Sequence, residues 1–486
     1  MAIPKVSGIE NEFGFAIFNQ ENKQLLNQEY HEAVLEFVMI LLNQKERINF
    51  DSSQESRWLP NEKETEAEKK HRLEIEKYLH SANSFLQNGA RFYLDGHHPE
   101  YSTPECLNPL DLVAHDKASE LTILEAIKLF KAREKNKQYK LFIHKSNSDG
   151  EGHSYGCHLN VLLDGKVRKD MAYFIKRYIP FQIARLILIG SGKIGAENER
   201  NDCEFQISQR ADFFTCLTSP ATTENRPIFN LRDEPHASKE KYFRLHDIST
   251  DALLCEQAIF LKVALSQIVL AMIEDGFIGD ELFPENPIKA IRTVSRDLSF
   301  NRLIVLKNGN KMTGMEMLRW YLEKCENYLK ENPMTNQHEK VIKDAYNILD
   351  ILEKDISKAF GKLDWATAWT VMKTSNDPEV AKMNLLKLRE MSPDSLFKKF
   401  EKSGLIHRLV NDNQIKNASI NPPTDTRAYL RGQLIKKLRK RIIKIGWSNI
   451  FLDFPEFPQI KMNDPAEVVK DIMDMLILRL ESLNKE

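Results

Sequence analysis

Between residues 88 and 105 the sequence reads NGARFYLDGHHPEYSTPE, which gathers one arginine, two tyrosines, two adjacent histidines and three carboxylates between turn-forming residues. Asn88-Gly89 is a turn dipeptide, and residues 90–95 then read as a short strand. The two-residue side-chain period puts Arg91, Tyr93 and Asp95 on one face. Burying a guanidinium, a phenol and a carboxylate against an apolar core carries a large desolvation cost, so this face is expected to line a wet, charged cavity. Pro99 interrupts the run, and Glu100 and Glu105 add oxygens close by. Oxygen donors suit a hard cation such as Mg²⁺, and the arginine suits an anionic nucleotide.

Other segments carry residues of the same kind. Residues 5–17 alternate weakly as a strand that holds Glu10 and Glu12 two apart, on one side; one cation would relieve the repulsion of such neighbouring carboxylates. A strand over 154–163 places Cys157, Leu159 and Val161 on one face and His158 and Asn160 on the other. A strand histidine more often satisfies a hydrogen bond than binds a metal. Asn160 beside it supplies an amide able to meet a phosphate, which favours the ligand reading. The turn 232–236, Arg-Asp-Glu-Pro-His, closes an apolar strand with an arginine and a histidine at its two ends, and is read as functional. Gly190-Ser-Gly-Lys-Ile-Gly195 lacks the full phosphate-loop spacing and is read as a helix-ending turn.

The elements that must position these groups follow from periodicity. Helices are expected over 28–42, 110–133, 170–189, 252–274, 314–332 and 339–355, with a closing amphipathic helix over 464–483. Further strands are expected over 138–145, 204–210, 226–232 and 241–247. Antiparallel strands with long helices between some of them give an α+β architecture and exclude a doubly wound parallel sheet. Residues 421–429 form a stiff turn into a basic helix carrying Lys436, Lys437, Arg439, Lys440, Arg441 and Lys444, with Leu438, Ile442 and Ile443 on its buried side. Trp447 follows in a β-like stretch. Residues 45–78 are dense in both charge signs and too poor in apolar residues to fold on a core of their own. They read as an insertion, either a solvated linker or a lid beside the polar strand. The expected organisation is a catalytic domain over 1–400 with that insertion and a small C-terminal domain over 401–486.

Composition narrows the function classes. With 486 residues and a net charge of −1, the chain offers no global electrostatic reason to bind nucleic acid or an anionic membrane. The N-terminus lacks a secretory pattern, and the most apolar stretch, 258–273, is interrupted by Lys262, Ser266 and Gln267 and reads as a buried helix. Six scattered cysteines suit free thiols in a reducing cytoplasm.

Together the runs GIENEFG, NGARFYLD, HPEYSTPE, SYGCHLN, ISQRAD, NRPIFNLRDEPH, KYFRLH, NPIKAIRTVSRD and NPPTDTRAYLRG extend from residue 8 past 430. In these runs the chain resembles the enzymes that act on prokaryotic ubiquitin-like protein (Pup), within the carboxylate-amine ligases of glutamine-synthetase-like fold. That resemblance implies an antiparallel sheet cradle flanked by helices, with ATP and Mg²⁺ as cofactors and Pup and pupylated proteins as partners. It implies that Glu10, Tyr93, Glu100, His158 and His236 surround magnesium, that Arg91, Thr103, Asn160, Arg232 and Trp447 contact ATP, and that Asp95 is the catalytic carboxylate. Glu12 and Arg210 join this candidate set.

The family holds a ligase and a depupylase/deamidase. Only Gly96 and His97 separate Asp95 from His98-Pro99-Glu100, a spacing similar to depupylases, whereas ligases carry one more residue. The charged insertion stands where depupylases have a lid loop, and NPPTDTRAY is depupylase-like. Two positions depart from the family: Leu159 stands where the family has glutamate between His158 and Asn160, and Asn11 replaces a small residue between Glu10 and Glu12. By alternation both point away from the candidate ligands. The resemblance thus implies an ATP-dependent hydrolase of the Pup–lysine isopeptide bond that also converts a C-terminal glutamine of Pup to glutamate. Asp95 would act as nucleophile or as base. The alternatives are a Pup–protein ligase working through a phosphorylated Pup glutamate, and a Pup-binding scaffold without chemistry.

Overall fold

The computed structural model describes residues 1–54, 81–198, 200, 203–221, 226–467 and 470–483. The insertion expected over 45–78 lies outside the described residues from 55 onward. The chain forms two compact units. One comprises Met1–Gly14, Ile143–Asp233 and Phe243–Asn411, the other Phe15–Phe142, Glu234–Tyr242 and Asp412–Glu486. This division differs from a boundary at 400, because the C-terminal segment does not close on itself. Its apolar side chains Leu434, Ile435, Leu438, Ile445 and Ile450 share one core with Ile48 and Phe85.

In the first unit, strand Ser7–Glu12 pairs antiparallel with Cys157–Asp164, Glu10 opposite His158 and Gly8 opposite Asn160. Strand Tyr242–Asp247 lies on the other side of Cys157–Asp164. Alternation holds as expected: Cys157, Leu159 and Val161 are buried, while His158 and Asn160 face the open side. Asn11 is also buried, and its Oδ1 accepts from the Cys157 thiol at 3.3 Å. The end of strand Tyr242–Asp247 is pinned by Asp247, which accepts hydrogen bonds from Tyr178 at 2.7 Å, Gln182 at 2.9 Å and Arg185. Glu256–Glu274 is a wholly buried core helix, which accounts for its apolar sequence without a membrane.

Three expected elements differ. The helix over 170–189 is a 3₁₀ turn at Gly165–Asp170, a helix at Met171–Ala184 that accommodates Pro180, and a short turn at Leu186–Ile189. The strand over 204–210 is only Phe205–Gln206. The Ser208 and Gln209 amides donate to side chains, Ser295 Oγ at 3.1 Å and Asp251 Oδ2 at 2.8 Å, so no ladder continues. The helix expected from 252 begins at Glu256, because the Ala252 and Leu254 amides are taken by Asn147 and Asp364.

In the second unit, strands Asn83–Phe85, Arg91–Asp95 and His98–Ser102 form an antiparallel meander, with Tyr93 opposite Glu100 and Asp95 opposite His98. Helix Pro109–Ala132 starts with Asn108 as cap, its side chain accepting from the Leu110 and Asp111 amides, and with proline at its first position. The basic helix is Ala428–Leu438, and the chain then turns through Arg439–Arg441 into strand Ile442–Ile445. Ile443 is therefore exposed and not on a buried helix face, because strand alternation turns it out while Ile442 turns in. The closing helix is Lys470–Leu483. All six cysteines are free thiols.

Candidate functional site

The sequence-derived candidates divide between the two units. Glu10, Glu12, His158, Asn160, Arg210 and Arg232 belong to the first; Arg91, Tyr93, Asp95, Glu100, Thr103, His236 and Trp447 belong to the second.

In the first unit, antiparallel register brings Glu10 against His158, with Glu10 Oε2 3.1 Å from His158 Nδ1. The neighbouring strand adds His246, whose Nε2 lies 3.1 Å from His158 Nδ1 and 3.3 Å from Glu10 Oε2. The two rings meet edge to face at 4.7 Å. Two residues earlier on the same strand face, Arg244 reaches Glu10 Oε1 at 3.7 Å and donates to Asn160 Oδ1 at 2.8 Å. Asn160 is thus held by an arginine on the open face of the sheet.

Burial works against the charge on Glu10, but hydrogen bonds from His158 and His246 outweigh it and hold the carboxyl well below the usual range. Burial pushes the His246 imidazole down to about 4 against the pull of Glu10, leaving a neutral ring with a lone pair to offer. One carboxylate oxygen and two imidazole nitrogens converge here as a group able to hold a metal ion. Adjacent ligands of an octahedral ion bound at about 2.1 Å sit roughly 3.0 Å apart, so the spacing fits a divalent cation. The nitrogen donors extend the fit to borderline ions such as Mn²⁺.

His246 was not among the sequence candidates. Its signal lies in KYFRLH, where the polar Arg244 and His246 alternate with the buried Phe243 and Leu245.

Gly156 shows how tightly the cluster is packed. A Cβ there would lie 2.2 Å from His158 Nε2 and 2.5 Å from Glu12 Oε1, so only glycine leaves room for the His158 ring and the Glu12 carboxylate. Arg210 is buried, and its Nε and Nη1 have no hydrogen-bond partner among the described residues. Burial and the nearby Arg226 lower its pKa while Glu12 and Asp251 raise it. A buried guanidinium with donors to spare suits an anion. Arg232 sits in a turn whose Asp233 is tied to Arg168 by two bonds of 2.6 and 2.9 Å, so part of that polar turn holds the loop itself.

In the second unit the polar face of strand Arg91–Asp95 is graded. Arg91 is buried, its Nε donating to Asn83 Oδ1 at 2.9 Å and its guanidinium lying over the Phe50 and Tyr93 rings at 4.0 and 3.8 Å. The expected wet cavity therefore does not surround Arg91, because aromatic faces and an amide oxygen replace its water. Tyr93 is half-buried and Asp95 is exposed. Glu100 and Thr103 are buried.

Glu105 organises the neighbourhood of Trp447. It accepts from Arg427 Nε at 2.8 Å and is paired with Arg431, whose guanidinium lies over the Phe85 and Trp447 rings at 4.7 and 4.9 Å. Arg431 also donates to the Trp447 carbonyl at 3.1 Å, and Arg427 to the His236 carbonyl at 2.6 Å. His236 has a left-handed backbone, with φ of 47°, and its ring lies 6.3 Å from Trp447. Burial opposes charge on Glu105, but the two arginines prevail and bring its carboxyl down to about 2.

An antiparallel α+β chain with a carboxylate–imidazole cluster on one sheet face and a buried arginine, Arg210, with donors unpartnered among the described residues is one that could hold a cation and an anion. The Pup-ligase protein family model matches residues 5–451, and the chain belongs to that family. It is 32% identical over 473 residues to the depupylase of Acidothermus cellulolyticus, covering 93% of this chain and 91% of that one. It is 36% identical over 414 residues to the Pup–protein ligase of Acidimicrobium ferrooxidans, covering 82% and 90%. To the Pup deamidase/depupylase of Mycolicibacterium smegmatis it is 34% identical over 381 residues, covering 77% and 76%. Among solved structures, the complex between Pup and its ligase PafA matches with a TM-score of 0.81 and 27% identity, over 99% of this chain and 92% of that one. The ligase PafA with ADP matches at 0.74 and 30%, over 89% and 99%. The expected α+β architecture with antiparallel strands and flanking helices is the one found.

Proposed function

We propose that this chain is a cytoplasmic, ATP- and magnesium-requiring amidohydrolase that releases Pup from lysine side chains and converts a C-terminal glutamine of Pup to glutamate. Family membership supports Pup as the partner, as does a family structure solved with Pup bound. The observation that carries the hydrolytic reading is the hairpin in which Asp95 pairs with His98 across Gly96 and His97 alone, the short spacing that the resemblance ties to depupylases.

In this reading Asp95 either attacks the side-chain carbonyl carbon of Pup's last residue, forming an anhydride that water opens, or takes a proton from the attacking water. Either route breaks the C–N bond, gives the carboxyl to Pup and sends a proton out with the amine. Glu10, His158 and His246 would hold a cation within the first unit, and the family resemblance also assigns Tyr93, Glu100 and His236 to magnesium. Arg91, Thr103, Asn160, Arg232 and Trp447 bind the nucleotide, with Arg210 as an anion contact and Glu12 beside His158. When bound, the cation would supply positive charge that polarises the carbonyl and favours the ionised form of Asp95, and the arginines would hold the anionic nucleotide phosphates.

Ligation is the second reading, favoured by the 36% identity to a ligase. Incubation with a Pup conjugate and with glutamine-ended Pup, each with and without ATP, followed by mass spectrometry, tests both. Cleavage and deamidation without stoichiometric ADP support the hydrolase. Conjugate formation with one ADP released per bond makes it a ligase.

A further inference from the structure

We propose that His31 and His97 form a clamp that sets the aim of Asp95, making His97 a positioning residue for the reaction. This rests on the reading of Asp95 as the catalytic carboxylate. Asp95 and His98 are the last paired residues of the hairpin, and Gly96 and His97 make up the whole turn. Gly96 takes a φ of 54°, and a Cβ built there would meet nothing within 4 Å among the described residues, so Gly96 itself adds no packing to the tip. The other turn residue, His97, is where the described contacts anchor this tip.

That anchor is the first turns of helix Asn27–Gln44. The His31 ring stacks on His97 with centroids 4.4 Å apart and planes 14° apart. Tyr30 Oη lies 3.0 Å from the His97 carbonyl oxygen and 3.3 Å from that of Phe15, with its single proton directed to the nearer or shared between them. Its ring is wedged edge-on against Phe15 at 5.6 Å. Ring and carbonyl of a single turn residue are thus gripped from one helix, two positions from Asp95. Partial burial and the facing His31 hold His97 below the usual imidazole range, with Asp95 pulling the other way, so at neutral pH His97 stacks as an uncharged ring. Because reacting groups must sit within about 0.5 Å of their productive geometry, and a misplacement of about 1 Å can cost roughly 100-fold, loosening the tip is expected to lower kcat without touching substrate affinity.

The test uses the full-length chain with ATP, Mg²⁺ and a Pup-conjugated protein. His97→Ala and His31→Ala are each expected to lower kcat about 10- to 100-fold with KM nearly unchanged, and the double variant is expected to be no worse than either. His97→Phe, which keeps a flat ring on His31, is expected to restore most of the rate. Tyr30→Phe, which removes only the hydrogen bond, is expected to lower kcat in the same direction. Full kcat in both His97→Ala and Tyr30→Phe overturns the clamp, and so does a His97→Phe variant as slow as His97→Ala. Asp95→Asn is measured alongside: if it retains turnover, the catalytic reading of Asp95 fails by itself. Amide exchange across residues 94–98 reads the clamp whatever the turnover. Faster exchange in His97→Ala that His97→Phe reverses supports it, and unchanged exchange refutes it.

Discussion

Glu105→Gln isolates the contact that organises the Trp447 neighbourhood. The wild-type carboxylate is shared by Arg427 and Arg431, and both guanidinium groups are buried. The amide keeps the shape but leaves two buried cations facing each other without the carboxylate they share. Removing one partner of a buried pair costs about 3–5 kcal/mol. Glu105 gives an independent figure: a carboxyl at about 2 in place of the ordinary 4.5 corresponds to about 3 kcal/mol, at roughly 1.4 kcal/mol per tenfold change in proton affinity. The two estimates agree, so helix Ala428–Leu438 should open more readily by about 3 kcal/mol, roughly a hundredfold in amide exchange.

The effect should also depend on pH in a definite direction. The folded carboxyl lies below its unfolded value, so its contribution is complete above about pH 4.5 and is lost as pH falls toward about 2. Hydrogen exchange followed by mass spectrometry, on wild type and Glu105→Gln between pH 7 and pH 3, reads both effects. Exchange in 428–438 that is unchanged by the substitution, or a difference that grows as pH falls, refutes the reasoning.

Three further outcomes follow from the other unit. His246→Ala should weaken Mn²⁺ binding about 10- to 100-fold by titration calorimetry, while His338→Ala, a buried histidine bonded to Gln267, should leave it unchanged. Gly156→Ala should displace the His158 ring and Glu12, since its Cβ would lie 2.2 and 2.5 Å from them, and should weaken Mn²⁺ binding at least as much as His246→Ala. Arg210→Met should leave thermal stability equal or higher, because it removes a buried cation with unmet donors, yet weaken ATP binding by about 2 kcal/mol, the scale of a charge-assisted hydrogen bond.

Local pattern carried much of this chain. Alternation correctly set His158 and Asn160 against Leu159, and Glu10 against Asn11, because one face of those strands is packed and the other is not. Asn88-Gly89 marked the turn before strand Arg91–Asp95, but the partner strand His98–Ser102 was not foreseen, because Pro99 reads as an interruption and yet pairs opposite Leu94. The two ends of a strand pairing are separated by long stretches of chain, and sequence does not say which strands become neighbours. His246 was missed for that reason: nothing in KYFRLH announces that it will lie beside His158, 88 residues earlier. The short strand at Phe205–Gln206 was overextended because its next amides are claimed by Ser295 and Asp251, partners invisible to a local reading. Arg91 was expected in water and is stacked between rings, one of them contributed by Phe50 from outside the motif.

The most direct test of the central claim is mass spectrometry of a purified Pup conjugate after incubation with the wild-type chain and with Asp95→Asn, in the presence of ATP and Mg²⁺. The account predicts free target lysine and glutamate-ended Pup from the wild type, little ADP, and no cleavage by Asp95→Asn although it still binds ATP. An Asp95→Asn protein that cleaves at the wild-type rate, or a wild type that only joins Pup to lysine with one ADP per bond, would contradict it.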